Sequence, residues 1–209
     1  DIDLRWDSGD RYDMGTITFD QGEKPIIRES LLRESIYWDE GEYYHQGRLD
    51  RLRKSLAALD YFSRIDIAPE PENAVDGRVP VKVTLTPAKR SVYSVGASFG
   101  TDSGFGVSLG LERRYLNSRG HKALAQLDYA EKRKTFTVQH RIPAYAWRDG
   151  WYTTSLQAYD EQTDYIDTRR YEAVFGRSAQ YSRDLSLSAS VHGLRERWAY
   201  AVDDRLRPV

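Results

Sequence analysis

The chain has 209 residues, a formal net charge of −1 at neutral pH, a mean hydropathy of −0.70 and no cysteine. This charge gives no reason to expect a nucleic-acid partner, and the lack of cysteine excludes disulfides, thiolate nucleophiles and Cys-ligated metals. No run of about 18 to 20 apolar residues could cross a bilayer as a helix, but a β-barrel, whose strands are apolar on one face only, is not excluded.

Both ends of the sequence lack the features of a natural terminus. Residues 1–10 contain no initiator methionine, no basic segment and no apolar segment of the kind that opens a signal peptide. The last residues, VDDRLRPV, complete neither a strand pattern nor a helix pattern. We therefore expect an internal piece of a longer protein.

Residues 12–90 combine strand and helix patterns, which predicts a small α+β domain. The segment 12–20 is rich in β-branched residues and precedes Gly22, so we expect a strand there despite its imperfect alternation. Pro25 fits the first turn of a helix, and the segment 26–36 contains helix-forming residues.

The segment 43–62 carries the clearest helix pattern in the chain. Two alternating strands are predicted after it, at 63–69 and 78–87, joined by a turn rich in proline, asparagine and glycine. The predicted element order is therefore β-α-α-β-β. The apolar residues that recur every three or four positions along the helix are Leu49, Leu52, Leu56, Leu59 and Phe62.

From Ser91 onward the apolar residues recur at every second position, which is the period of a strand. Seven consecutive segments show this alternation, and their other positions hold mostly small, polar or charged residues. The apolar sets begin at Tyr93, Phe105, Ala123, Phe136, Tyr152, Tyr171 and Leu185.

Two architectures explain these strands. A soluble barrel or sandwich buries the apolar face in a core, whereas a membrane barrel turns it towards lipid. Segments of about nine to eleven residues suit a tilted membrane crossing, and aromatic residues gather near the strand ends, where a bilayer has its interfaces. These features favour the membrane barrel. The aromatic residues are Tyr115, Tyr145, Trp147, Trp151 and Tyr181 at one set of ends, and Tyr129, Tyr159 and Tyr165 at the other.

Several stretches carry a resemblance to a known superfamily. GEYYHQGRLDRLRKSLAALDYFSRIDIAPEP resembles the second helix and following strand of a POTRA domain. VGASFGTDSGFGVSLGLERRYLNSRGHKALAQLDY resembles the first three barrel strands of the outer-membrane insertase superfamily. The T-D-x-G turn, the L-N-x-x-G-H turn and RIPAY most resemble the TamA-like family, the barrel subunits of the translocation and assembly module.

The resemblance implies a division of the chain into three parts. Residues 1–10 would be the end of a preceding POTRA domain or a linker, and residues 11–90 would be the POTRA domain next to the barrel. Residues 91–209 would be the N-terminal part of an antiparallel transmembrane β-barrel, with about seven strands. The implied location is the bacterial outer membrane, with the POTRA domain in the periplasm.

The implied function is assembly of other proteins in the outer membrane, without enzymatic activity or a cofactor. The resemblance implies three partners: the outer-membrane lipid bilayer, substrate β-barrel proteins or autotransporters, and a TamB-like protein anchored in the inner membrane. Two alternatives stay open. One is a two-partner secretion-type pore of the same superfamily, and the other is a soluble β-rich binding module.

Residues 93–100 form our candidate gate strand, because the first strand of a closed barrel must pair with the last. Glycine in a strand costs ordering entropy and adds no packing surface, so Gly96 and Gly100 would weaken this seam. The same glycines could instead leave space inside the barrel. The candidate gate residues are Tyr93, Val95, Gly96, Ala97, Phe99 and Gly100.

A second candidate for strand addition is a strand edge of the POTRA-like domain, at Ser63, Ile65 and Ile67. TDSG is predicted to form an extracellular hairpin turn, and LNSRG a periplasmic one. The turn residues are Asp102, Gly104, Asn117 and Gly120.

No motif selects a catalytic, cofactor-binding or metal-binding site. The histidines lack metal-ligand spacing, and the sequence contains no G-x-S-x-G elbow. The acidic segment 160–167 lacks the glycine and terminal glutamate of a calcium loop. Ser188 and His192 share one strand face, which is too weak a signal for a nucleophile and its base.

Overall fold

The structure is a computed structural model that describes residues 11–101, 103–145, 150–163, 166–181, 185–202 and 205–208. It divides into two compact units, Asp1–Ala88 and Lys89–Val209. The end of a preceding domain that we expect at residues 1–10 lies outside the described residues.

The first unit has the predicted order β-α-α-β-β. Its central strand β3 pairs in parallel with β1 and antiparallel with β2, so the sheet order is β1-β3-β2. A single turn of 3-10 helix, Pro71–Asn73, connects β2 to β3. The elements are β1 (Asp13–Asp20), α1 (Glu29–Arg33), α2 (Gln46–Ala58), β2 (Phe62–Pro69) and β3 (Arg78–Pro87).

Helix α2 and strand β3 both contribute a row of apolar side chains to the core of this unit. The predicted leucine stripe of α2 is buried, with Leu52 and Leu56 fully enclosed, and so are the alternating apolar residues of β3. His45 begins the helix, because its Nδ1 accepts a hydrogen bond from the Gly47 amide at 3.0 Å. Neither α1 nor α2 is long and apolar enough to cross a membrane.

Helix α1 is shorter than the predicted segment 26–36. The side chain of Gln21 binds the backbone of the segment before it: Oε1 accepts hydrogen bonds from the amides of Ile26 and Ile27 at 3.2 and 3.1 Å. Its Nε2 also donates to the Ile27 carbonyl at 2.6 Å. The Ile27 carbonyl would accept from the Leu31 amide in a longer helix, but that amide donates to the Arg28 carbonyl at 3.0 Å, so Ile26 and Ile27 precede α1 as an irregular segment.

Strand β1 contains a bulge, which explains its imperfect alternation. Met14 lies opposite Val79 and Ile17 opposite Val81, so β1 has one more residue than β3 between these pairs. Pro80 lies opposite the bulge and has no amide to donate to the ladder. The bulge therefore lets Met14 and Ile17, three positions apart, both enter the core.

The second unit is a meander in which each strand pairs antiparallel with the next. The seven predicted strands are confirmed as β4 to β10. A short eighth strand, β11, follows them and was not indicated by the sequence pattern. The strands are β4 (Ser91–Gly100), β5 (Gly104–Arg113), β6 (Lys122–Ala130), β7 (Arg133–Ala144), β8 (Gly150–Gln162), β9 (Ile166–Gln180), β10 (Ser186–Val202) and β11 (Arg205–Pro208).

Candidate functional site

One face of the meander is apolar and uncovered. The strand register places Val95 opposite Leu109, Leu109 opposite Leu127, and Leu127 opposite Phe136. These four side chains are 81%, 50%, 40% and 48% exposed. The buried apolar residues described in this unit are alanines at strand ends, Ala130, Ala144 and Ala179, whereas the first unit has a core of large side chains. Among the described residues of this unit, the apolar face therefore lines no protein core.

The opposite face of the same sheet is polar. A row of paired positions crosses five strands as Ser94, Gly110, Gln126, Thr137 and Gln157. Within it, Nε2 of Gln157 donates a hydrogen bond to Oγ1 of Thr137 at 3.2 Å. One face of the sheet thus suits an apolar medium and the other suits water.

Glycine and serine pair three times between β4 and β5 on the polar face. The register places Ser94 opposite Gly110, Gly96 opposite Ser108, and Ser98 opposite Gly106. A Cβ on Gly96 would lie 2.5 Å from Oγ of Ser108, and one on Gly106 would lie 2.9 Å from Oγ of Ser98. Each glycine therefore leaves the space that the facing serine hydroxyl occupies.

The candidate gate strand β4 is an outer strand of the sheet, and β5 is its only partner within the described residues. Its apolar residues project from the apolar face, and Tyr93, Val95 and Phe99 are among the most exposed of the large apolar side chains described. A strand in this position presents a row of backbone donors and acceptors to a further strand. Gly100, opposite Gly104, is the last residue of β4 that pairs with β5.

The second candidate edge, strand β2, is also an outer strand of its sheet. Its register with β3 shifts at Ser63, whose hydroxyl donates towards the carbonyl oxygens of Thr86 and Pro87 at 3.3 and 3.4 Å. Ile67 is buried and Ile65 is half-buried. The regular part of this edge therefore begins at Arg64. Its backbone can pair with a further strand, but the side chain of Ile67 is not accessible to a partner.

The two predicted turns differ in how much of them is described. Asp102 lies outside the described residues, while Gly104 adopts a φ of +75° where β5 begins. In the second turn, Oδ1 of Asn117 accepts from the Arg119 amide at 3.0 Å, and Gly120 has a φ of +73°. Left-handed backbone of this kind favours glycine at both positions.

A chain of polar contacts connects β9 and β10. His192 Nδ1 lies 2.8 Å from Oε1 of Glu172 on the neighbouring strand, and His192 Nε2 lies 3.0 Å from Oγ of Ser190. The sequence pattern had drawn attention to Ser188, but Ser190 is the serine that contacts His192. The contact with Glu172 joins two neighbouring strands, so it could not be seen from spacing within one strand.

One end of the meander is basic and aromatic. We call it the entry end, because the chain enters the sheet there at Lys89; its described residues are 89–91, 112–122, 140–145, 150–152, 177–181 and 185–187. Cations stack on rings at this end: Arg141 lies 4.5 Å from the Trp151 ring and Arg177 lies 5.3 Å from the Tyr152 ring. The predicted aromatic residues Tyr115, Tyr145, Trp151 and Tyr181 lie here, whereas Trp147 and Tyr165 lie outside the described residues.

Sequence reasoning missed the basic character of the entry end. The sequence feature that could have revealed it is the recurrence of lysine and arginine near the starts and ends of alternate strands. Among the described residues of this end, Glu112 is the acidic one. The cations are Lys89, Arg90, Arg113, Arg114, Arg119, Lys122, Arg141 and Arg177.

A pair of histidines meets across strands at the same end. His121 Nδ1 and His140 Nε2 are 3.2 Å apart, and their rings are tilted with centroids 5.1 Å apart. Within the described part of the chain, no group of three or more histidine, aspartate or glutamate residues could hold a metal ion.

Comparison with known proteins gives matches for the first unit and for the whole chain. The family model described as "POTRA: Surface antigen variable number repeat" matches residues 12–88. A crystal structure of BamA from Haemophilus ducreyi lacking POTRA domains 1–3 matches with a TM-score of 0.68 and 12% identity, over 95% of this chain and 46% of that one. CdiB from Acinetobacter baumannii matches with a TM-score of 0.64 and 14% identity, over 94% of this chain and 40% of its own.

These matches agree with the sheet topology of both units. The chain spans less than half of the length of each of the two solved structures. At 12% and 14% identity, the likeness concerns the fold. Residues 12–88 thus match the POTRA model, and the chain, an α+β unit followed by an antiparallel meander, shares its fold with parts of BamA and CdiB.

Proposed function

We propose that this chain is part of an outer-membrane protein that inserts or secretes other proteins, with the meander in the membrane and the POTRA domain in the periplasm. The observation that carries the proposal is the uncovered apolar face of β4 to β10. Monomeric soluble proteins rarely expose contiguous apolar patches larger than a few hundred Å². A strand meander with one apolar and one polar face has the pattern of a membrane barrel wall.

The proposed mechanism is strand addition at β4. Backbone hydrogen bonds at an open strand edge accept many incoming sequences, because they do not depend on side-chain identity. The glycine–serine pairs leave little side-chain packing between β4 and β5 on the polar face, since cross-strand contacts of large side chains are what stabilise neighbouring strands. We infer that β4 is the mobile wall of a gate for substrate β-barrel proteins or autotransporters.

A second interaction is proposed at β2 of the POTRA domain. Its regular edge from Arg64 to Ala68 can pair with an extended segment of another protein, and Pro69 ends the edge because proline has no amide to donate. We assign this edge to a periplasmic partner, for which a TamB-like protein anchored in the inner membrane is our candidate. The bulge at Ser63 limits pairing in the other direction.

The two units are expected to differ in the medium that they need. Residues 11–90 contain their own core and should fold cooperatively in plain buffer. Residues 91–209 expose their apolar face and should form native β-structure only with detergent or lipid. Circular dichroism and thermal melts of the two segments measure this difference. A cooperative melt of residues 91–209 as a monomer in plain buffer would support a soluble binding module and end the membrane proposal.

The proposed gate can be tested by disulfide crosslinking, because the chain has no cysteine of its own. Val95→Cys on β4 is expected to crosslink to a cysteine in the terminal strand of a substrate caught during assembly. Val138→Cys on β7 is the matched control, since it lies on the same face of a strand that is paired on both sides. Equal crosslinking of both would contradict strand addition at β4.

The same experiment separates insertion from secretion. A secretion-type pore passes its substrate through the lumen, where Gln126 projects from the polar face. Crosslinks to Gln126→Cys with none to Val95→Cys would therefore favour the two-partner secretion-type pore over the insertion factor.

A further inference from the structure

A shallow groove runs over the apolar face of β4 to β7. Its volume is about 350 Å³, and its walls are mostly apolar. The groove crosses four strands at the level where the exposed row of Val95, Leu109, Leu127 and Phe136 lies. The larger apolar side chains that line it are Tyr93, Val95, Leu109, Leu111, Leu127 and Phe136.

Arg113 lies at the entry end of this groove. It follows Leu109 and Leu111 on the same face of β5, and each step of two residues along a strand covers about 6.7 Å. Nη1 of Arg113 donates a hydrogen bond to Oγ of Ser91 at 2.7 Å, which directs the guanidinium along the sheet. A cation with further N–H donors therefore lies two residues along β5 from Leu111, a residue that lines the groove.

The neighbours of Arg113 leave room for a ligand at that place. The register continues from Arg113 to Ala123 on β6 and then to His140 on β7. The small Ala123 side chain lies between the arginine and the His121–His140 pair. An anion above Ala123 would thus have an arginine on one side and imidazole nitrogens on the other.

The surrounding charge also favours an anion. Described residues of the entry end carry eight cations and one acid, the residues named above. The guanidinium of Arg90 lies 5.8 Å from the Tyr115 ring and is held by the carbonyl oxygens of Tyr115 and Leu116, at 3.1 and 2.9 Å. Basic and aromatic side chains together suit the headgroup level of a bilayer.

We propose that Arg113 and the groove form a binding site for one anionic glycerophospholipid. The guanidinium binds the phosphate, for which its planar fork of donors is suited, and an acyl chain lies along the groove. A free phosphate would leave the groove empty, whereas a lipid occupies the charged and the apolar parts together. The site rests on the proposed membrane location of the meander.

The test is native mass spectrometry of the intact protein, expressed from its complete gene and purified in detergent. Phosphatidylglycerol and phosphatidylcholine are added in equal amounts. We expect the unchanged protein to retain phosphatidylglycerol about fivefold better, the effect of one basic residue at a headgroup. Arg113→Gln should bring the two lipids to parity. Arg133→Gln removes the same charge at the start of β7, which is the end of the sheet opposite to the entry end, and should preserve the preference.

Three results would overturn the site. They are equal retention of both lipids by the unchanged protein, equal loss of preference in Arg133→Gln, and binding of inorganic phosphate in place of the lipid. Ser91→Ala removes the hydrogen bond that directs Nη1 of Arg113 but removes no charge, so it should weaken the preference for phosphatidylglycerol less than Arg113→Gln does. If the protein does not enter detergent micelles, the proposed membrane location is wrong, and the lipid site, which depends on that location, is wrong too.

Discussion

Leu127→Arg is expected to abolish stable assembly of the meander in a bilayer, while Gln126→Arg leaves assembly close to normal. The two residues are neighbours on β6, but Leu127 lies in the apolar row between Leu109 and Phe136, and Gln126 lies in the polar row. An arginine on the lipid face near the bilayer midplane costs about 2 to 4 kcal/mol. An arginine on the polar face stays in water.

The measurement is the folded fraction of the intact protein in phospholipid vesicles, followed by heat-modifiable mobility on a gel and by urea titration. Gln126→Arg is the matched control, because it adds the same side chain one position away. If the meander belongs to a soluble module, Leu127→Arg should instead fold normally, because Leu127 is 40% exposed and a charge there would improve solubility. Normal folding of Leu127→Arg in lipid would contradict the orientation of the sheet.

Gly15→Ala is expected to destabilise the POTRA domain by about 3 kcal/mol, at the upper end of the cost of overpacking a core. A Cβ at Gly15 would lie 2.6 Å from the Val79 carbonyl oxygen and 2.9 Å from the Pro80 nitrogen. Both atoms belong to the backbone of the central strand β3, so no side-chain movement relieves the overlap. The bulge of β1 brings the two backbones together here.

Thermal melting of residues 11–90 measures the effect. For a domain of this size, about 3 kcal/mol corresponds to a fall in Tm of roughly 12 to 24 °C. Gly22→Ala is the control: Gly22 has a φ of +74° and no atom within 4 Å of an added Cβ, so it should cost only about 1 to 2 kcal/mol. If the two variants melt alike, the overlap at β3 is not the reason that glycine occupies position 15.

The sequence by itself determined the two units and most of their elements. The leucine stripe of α2 and the alternation in β3 to β10 are local patterns, and each requires only that one side of the element meets an apolar medium. Turn chemistry is local too: Gly104 and Gly120 have the positive φ that such turns require. This is why the order β-α-α-β-β and the seven-strand meander could be predicted without knowledge of contacts.

Only the tertiary structure decided which residues face one another. The bulge of β1 depends on Pro80, which lies more than 60 residues further along the chain. The role of the paired glycines of β4 and β5 depends on the register, which places a serine opposite each of them. Likewise, His192 contacts Glu172 only because β9 and β10 are in register. The groove beside Arg113 likewise needs four strands side by side. Strand pairing is set by long-range register, and a pattern with period two along one strand does not specify its neighbour.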